Sequence, residues 1–145
     1  MEGPYFETNK GLRQRDPFSP LLFNIAVEAL IALTNNAQKH GFISGLKVGR
    51  LGEEISILHY VDDTIFLLDN SLGSTKNLKF ILCLFENMSG LKINFHKNEV
   101  FSVGLSMKEE EDLCAILTCK KGDLPMSYLG IPVDKIRIHN RVETY

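Results

Sequence analysis

Two apolar, β-prone runs meet at a pair of adjacent acids. Ser56-Ile57-Leu58-His59 precedes Tyr60-Val61-Asp62-Asp63, and Thr64-Ile65-Phe66-Leu67-Leu68 follows. Runs of this kind form a β-hairpin, and here the acids fall at its tip. Carboxylates held side by side on a tight turn repel each other, and a hard divalent cation relieves that repulsion. Mg²⁺ is typically held by one or two carboxylates together with substrate phosphates. Aspartate also favours turns for local hydrogen-bonding reasons, so the motif alone leaves open a solvated turn.

The 145 residues suffice for one domain, and 44% hydrophobic against 23% charged residues exclude a disordered chain. A net charge of −2 supplies no overall basic field. Nucleic-acid binding would therefore rest on local groups or on segments outside these residues. The odd count of Cys83, Cys114 and Cys119, with no Cys-x-x-Cys pair near histidines, argues against structural zinc. Reduced thiols fit an intracellular protein, and no basic run selects the nucleus, although the nucleus stays open. Met1-Glu2-Gly3-Pro4 leads into polar sequence unlike a signal peptide, and the apolar stretch from Pro17 to Val27 is too short for a membrane span. No membrane partner is expected.

Residues 1–10 read as a poorly ordered lead-in, 11–133 as one domain and 134–145 as a charged, aperiodic tail. Ser19-Pro20 reads as a helix start, with Ser19 as cap and proline in the first turn. The helix from Pro20 to Lys39 is apolar nearly all round, which predicts burial on most of its surface before Gly41 ends it. Phe42–Val48 suits a strand and Arg50–Glu54 a turn. The hairpin is expected to pair Ile55–His59 with Ile65–Leu68. A second helix fits Ser74 to Met88, with Leu78, Ile81, Leu82, Phe85 and Met88 on one stripe and Gly90 as terminator. Leu91–Phe95 alternates like a half-buried strand, and Val100–Val103 reads as another. Ser106 with Glu109 forms a capping box for a third helix, which Lys120-Lys121-Gly122 closes. Met126–Val133 suits a last short strand. The natural packing is α+β, an antiparallel sheet with a β-hairpin and helices on one face.

Gly11-Leu12-Arg13-Gln14-x-Asp16-Pro17-x-Ser19-Pro20-x-Leu22-Phe23, followed by Tyr60-Val61-Asp62-Asp63, resembles the reverse transcriptases of non-LTR (LINE-type) retrotransposons, with plant-like wording. Ser89-Gly90-Leu91-Lys92-Ile93-Asn94-Phe95-His96-Lys97 and Tyr128-Leu129-Gly130-Ile131-Pro132 continue the match in the family's order. Four blocks in order over roughly residues 10–133 are specific where Tyr-x-Asp-Asp alone is weak.

The resemblance implies part of a polymerase palm and RNA-directed DNA synthesis, with an RNA template, a DNA primer and dNTPs as partners. The cofactor it implies is Mg²⁺, with Mn²⁺ as the alternative. Asp62 is then the principal metal ligand, with Asp63 in support. Gly11, Arg13, Gln14, Asp16, Pro17 and Ser19 line the nucleotide and template pocket, Ser19 doubling as a cap. Lys97 lies near the triphosphate, or is an ordinary surface lysine. Tyr60, Val61 and the Tyr128-Leu129-Gly130 turn contact the primer; Tyr60 equally suits a tyrosine packed on the sheet.

Two departures matter. Arg15 stands where the family keeps glycine, which predicts a crowded pocket or a strained loop. The family's palm also carries a metal-binding aspartate on a strand well before Gly11, whereas residues 1–10 contain no Asp, only Glu2 and Glu7. Fingers, thumb and endonuclease segments are not in this chain. An inactive remnant or interaction module is therefore the reading set against an active enzyme. An unrelated Mg²⁺-dependent phosphotransferase is the remote third.

Overall fold

The computed structural model describes residues 15–133, so the expected lead-in (1–10) and tail (134–145) lie outside the described residues. The order is α1 (Ser19–Lys39), β1 (Leu46–Val48), β2 (Glu53–Ile55), β3 (Ile57–Tyr60), β4 (Asp63–Phe66), α2 (Leu72–Ser89), a 3₁₀ turn (Phe95–Lys97), β5 (Glu99–Val100), α3 (Met107–Leu117), β6 (Lys120–Lys121), β7 (Met126–Tyr128) and β8 (Ile131–Val133). This is an α+β chain whose strands form four two-stranded ladders. β1–β2, β3–β4 and β7–β8 are antiparallel, and β5–β6 is parallel.

The core forms where α2 meets α1. Leu78, Ile81, Leu82 and Phe85 cluster with Leu30 and Ile43, and Ala26, Leu33, Phe66, Leu91, Phe95 and Leu117 close around them. The helical spacing of the α2 stripe brings these side chains onto one face, as the sequence predicts. Ser71 caps α2 by accepting from Ser74 N–H, and Gly90 ends it in the left-handed conformation at φ 73°.

α1 departs from expectation at both its start and its surface. Ser19 is the first helical residue rather than the cap; the preceding Phe18 is itself helical and makes no side-chain cap. Asp16 holds this entrance instead, its Oδ1 accepting from Phe18 N–H at 2.9 Å and its carbonyl from Ser19 N–H at 3.1 Å. Nor is the helix buried on most of its surface: Val27, Leu30 and Thr34 are buried, whereas Leu21, Leu22 and Ile25 are each half or more exposed. With 21 residues and a mean hydropathy of 1.2, α1 is by length and composition long and apolar enough to cross a membrane. That test does not separate a span from a core helix, and α1 carries core residues.

Several strands differ from the sequence reading. The Phe42–Val48 run is a strand only from Leu46, and its partner is Glu53–Ile55, with Glu53 and Glu54 expected in a turn and Ile55 in the hairpin strand. Leu91–Phe95 alternates in burial but forms no ladder. Its backbone is tied by side chains instead, with Ile93 N–H donating to Glu86 Oε1 at 2.7 Å and Leu91 N–H to Ser89 Oγ at 3.1 Å. Of Val100–Val103 only Val100 is in a strand. Met126–Val133 is a hairpin, its two-residue turn Leu129-Gly130 having φ of 52° and 75°. Two successive positive φ angles match the twist of the flanking strands, so the turn closes without splaying them.

α3 starts at the capping box of Ser106 and Glu109 and ends at Thr118, in the left-handed conformation. Lys120 and Lys121 do not close it; they form β6. The cation at its C-terminus comes from α2: Lys79 Nζ donates to Leu117 O at 3.2 Å and lies 3.3 Å from the centre of the Phe95 ring. Lys121 pairs with Glu110 at 2.5 Å, and that carboxylate holds its ammonium above its ordinary range. Burial raises the thiols of Cys114, where Glu110 adds to it, and of Cys119, which leaves both poor nucleophiles at neutral pH.

Gly45 and Ser56 sit where β1–β2 meets β3. A Cβ on Gly45 would lie 2.5 Å from Ile55 O and 2.9 Å from Ser56 N, both backbone atoms unable to move away. Gly45→Ala is therefore expected to lower stability by about 1–3 kcal/mol. The buried Ser56 hydroxyl has no hydrogen-bond partner among the described residues. Ser56→Ala should leave stability unchanged or raise it by up to about 1 kcal/mol. Urea denaturation of the two variants checks both, and an unaffected Gly45→Ala protein would refute this close approach.

The α3 cap carries a pH dependence. The Ser106 hydroxyl, and then its backbone N–H, holds the Glu109 carboxyl below its ordinary 4.5. A lowered folded-state pKa means the contribution is complete above the unfolded value and is lost as pH falls through the folded one. Helicity followed by circular dichroism should show an acid-side loss below about pH 4.5 that Ser106→Ala reduces but does not abolish, because the backbone N–H of residue 106 still reaches the carboxylate.

Candidate nucleotide-binding cleft

The β3–β4 hairpin places the acid pair. Its register runs Ile57↔Phe66, Leu58↔Ile65, His59↔Thr64 and Tyr60↔Asp63, leaving Val61 and Asp62 as a two-residue loop. The paired segments are thus 57–60 with 63–66, displaced toward the tip from the expected 55–59 with 65–68. Ser56 O accepting from Leu67 N–H at 2.9 Å extends the pairing by one step. Val61 has φ of 52°, an unusual conformation for a β-branched residue.

α1 touches β3, and a cleft of ≈ 820 Å³ opens between the start of α1 and the hairpin tip. Arg15, Asp16 and Ser19 line it from the α1 entrance, and Val61 and Asp62 from the tip. Residues separated by more than forty positions in sequence therefore face one cavity. Asp63 does not line it: as the first residue of β4 it sits opposite Tyr60, and both are exposed. Asp62 lies in the turn and Asp63 starts β4, and of the adjacent pair only Asp62 lines the cleft.

The other sequence candidates fall elsewhere. Pro17 is exposed beside the cleft without lining it. Lys97 ends the 3₁₀ turn, near a second concavity of ≈ 510 Å³ lined by Lys92, Asn94, Phe95 and His96 among others. Tyr128, Leu129 and Gly130 form the β7–β8 turn, outside the cleft lining. Gly11, Arg13 and Gln14, like Glu2 and Glu7, lie outside the described residues.

Sequence reasoning missed Asn24, Glu28 and His59, all of which line the cleft. A signal was present: Pro20, Phe23, Asn24, Val27 and Glu28 recur at i, i+3, i+4, i+7 and i+8, one helical stripe. His59 Nδ1 lies 2.9 Å from Thr64 Oγ1 across the ladder. Among the described residues no group of three or more His, Cys, Asp or Glu side chains is placed to hold one metal ion. Asp62 offers hard oxygen donors at an exposed tip, a donor set that suits Mg²⁺ sharing its shell with water and substrate phosphates.

The chain is thus an α+β fold whose Asp62-bearing hairpin tip faces the entrance of α1 across a cleft. The reverse transcriptase (RNA-dependent DNA polymerase) model matches residues 2–133, and the chain belongs to that family. It is 31% identical over 110 residues to a retrovirus-related Pol polyprotein from the type-1 retrotransposable element R2 of Popillia japonica, covering 72% of this chain and 14% of that protein. The R2 polyprotein of Nasonia vitripennis is 32% identical over 80 residues, covering 55% and 7%. These matches mark the reverse transcriptase domain of a non-LTR retrotransposon. An uncharacterized mitochondrial protein of Arabidopsis thaliana is 41% identical over 56 residues, covering 39% of this chain and 46% of that protein. The chain thus spans less than half the length of the curated relatives it matches. Reverse transcriptases as a family act on nucleic acid and use divalent metal ions.

Arg15 takes φ of 65°, a left-handed backbone, and lines the cleft. A non-glycine residue in this region costs about 1–3 kcal/mol, partly offset by glycine's larger unfolded-state entropy. Arg15→Gly and Val61→Gly are each expected to raise stability by about 1 kcal/mol in thermal or urea unfolding. If both variants are less stable than the parent, the left-handed backbone at these positions is refuted.

Proposed function

We propose that the cleft is the nucleotide and template pocket of an RNA-directed DNA polymerase palm, with residues 11–133 as the domain. Asp62 is its metal-binding carboxylate. The observation that carries this reading is Asp62 lining one cavity with Arg15, Asp16 and Ser19. Asp62 would hold Mg²⁺, or Mn²⁺ in its place, and the ion's charge would offset that on the transferred phosphoryl group. Asp63, exposed and outside the cleft lining, supports Asp62 through backbone and field rather than as a second ligand in the cleft. Asp16 holds the loop before α1, and the resemblance assigns nucleotide or template contacts to Gly11, Arg13, Gln14 and Pro17 as well. Lys97 approaches the triphosphate only when substrate or further segments bring the 3₁₀ turn toward the cleft. The exposed Tyr60, Val61 and the Tyr128–Gly130 turn offer primer contacts.

A polypeptide of these 145 residues is proposed to be inactive by itself. Two-metal transfer needs carboxylates converging on the ion pair from both sides, and although Asp16, Glu28 and Asp62 all line the cleft, no three His, Cys, Asp or Glu side chains among the described residues are placed to hold one ion. The unburied Leu21, Leu22 and Ile25 on α1 support the view that fingers and an aspartate-bearing strand complete the domain in a longer polymerase. RNA template, DNA primer and dNTPs are the substrates on this reading.

Primer extension on an RNA template tests it. The 145-residue chain should give no product with Mg²⁺ or Mn²⁺. Adding an upstream family segment with the aspartate strand and fingers should restore extension only together with Arg15→Gly, and Asp62→Asn should then reduce it about 100-fold or more. Extension by the unaltered chain that Asp62→Asn abolishes would overturn the inactivity. Extension by the Arg15 form of the longer protein would refute only the steric role of Arg15.

A further inference from the structure

We infer that His59 contacts the substrate in this cleft, presenting Nε2 as a hydrogen-bond donor to a phosphate oxygen of the bound nucleotide. The inference rests on the cleft being a nucleotide pocket and adds a residue to it.

His59 lies on β3, three residues before Asp62, and lines the same cavity. Thr64, its cross-strand partner, does not line that cavity, yet its Oγ1 is 2.9 Å from His59 Nδ1. One ring edge is thus occupied on the ladder side, which fixes the plane of the imidazole and leaves the Nε2 edge for the cleft. A threonine hydroxyl both donates and accepts. When it donates to Nδ1 the ring proton is on Nε2, and in the protonated ring Nε2 again carries one. Two of the three ring forms therefore offer an N–H into the cavity.

The lining sets what an anion would need in this cleft. The cleft's carboxylates are Asp16, Glu28 and Asp62, and Asp16 is already engaged by Phe18 N–H. An electronegative cavity accepts polyphosphate only where fixed donors and a cation meet the phosphate oxygens. Arg15, Asn24 and His59 are the nitrogen-bearing side chains available among the described lining residues. Of these, His59 is held by a hydrogen bond on the hairpin that also carries Asp62, so its position relative to the metal-binding carboxylate is set by the ladder register.

The test exploits the two ring nitrogens. Glutamine places an amide near the Nε2 position, and asparagine near Nδ1. The ¹³C,¹⁵N-labelled 145-residue chain is titrated by NMR with dTTP and Mg²⁺, with tripolyphosphate and Mg²⁺, with thymidine, and with a short oligonucleotide duplex. dTTP and tripolyphosphate should shift both the His59 ring signals and the Asp62 amide, and thymidine neither. His59→Gln should keep the dTTP affinity within about threefold, and His59→Asn should weaken it about tenfold or more, the loss of one charge-assisted hydrogen bond. If Asn is tolerated and Gln is not, the ring acts through Thr64 and the inference fails. A dTTP response at Asp62 without one at His59 sinks the inference and leaves the nucleotide cleft standing. Response of neither group to dTTP overturns both, and a His59 response to duplex alone overturns the assignment to the nucleotide.

Discussion

The contact on which the rest of the structure depends is the stripe Leu78, Ile81, Leu82 and Phe85 of α2 against Leu30 of α1 and Ile43. Burial of each such side chain contributes about 2 kcal/mol. The small ladders add little independent stability, since a two-stranded hairpin is marginal by itself in water. β4 joins this core through Phe66, and α1 lies over β3, so the hairpin tip is held by side chains well away from it. Loss of the α1–α2 contact would release both walls of the cleft.

The site is built where the backbone is least relaxed. Arg15 and Val61, both at positive φ without being glycine, stand on opposite walls of one cavity. Such geometry persists only where surrounding structure over-determines it. The β3–β4 register does so for Val61, and the Asp16 hydrogen bonds at the α1 entrance do so beside Arg15. The two strains differ in meaning. Val61 turns a two-residue loop and lifts Asp62 to the cavity, whereas Arg15 puts a long cation where the family keeps no side chain at all.

Electrostatic connections join elements that the hydrophobic core leaves apart. Lys79 reaches from α2 to the carbonyl end of α3 and across the face of Phe95, so one ammonium links two helices and the 3₁₀ turn. At the other side of α3, Glu110 accepts from Ser102 and pairs with Lys121, which fastens β6 to the helix before it. Both arrangements favour the cation near the helix's carbonyl end or beside its carboxylate, where its charge is worth most.

The sequence by itself determined the local features: the hairpin with Asp62 at its tip, the α2 stripe, Gly90 as its stop, the Ser106–Glu109 cap and the left-handed site at residue 15. Each depends on neighbours within one turn or one strand, where sterics and hydrogen bonding act without the rest of the chain. The four motif blocks carried the family in the same way. Only the tertiary structure decided which residues share the cleft. His59, Asn24 and Glu28 entered it and Asp63 and Lys97 fell outside its lining, because strand register and helix phase have consequences only once two elements are packed together. The same holds for Leu91–Phe95, whose alternation was legible but whose ladder never formed, and for α1, whose apolar surface says nothing of how much of it finds a partner. Pattern specifies what a segment offers; burial depends on what the fold brings to meet it.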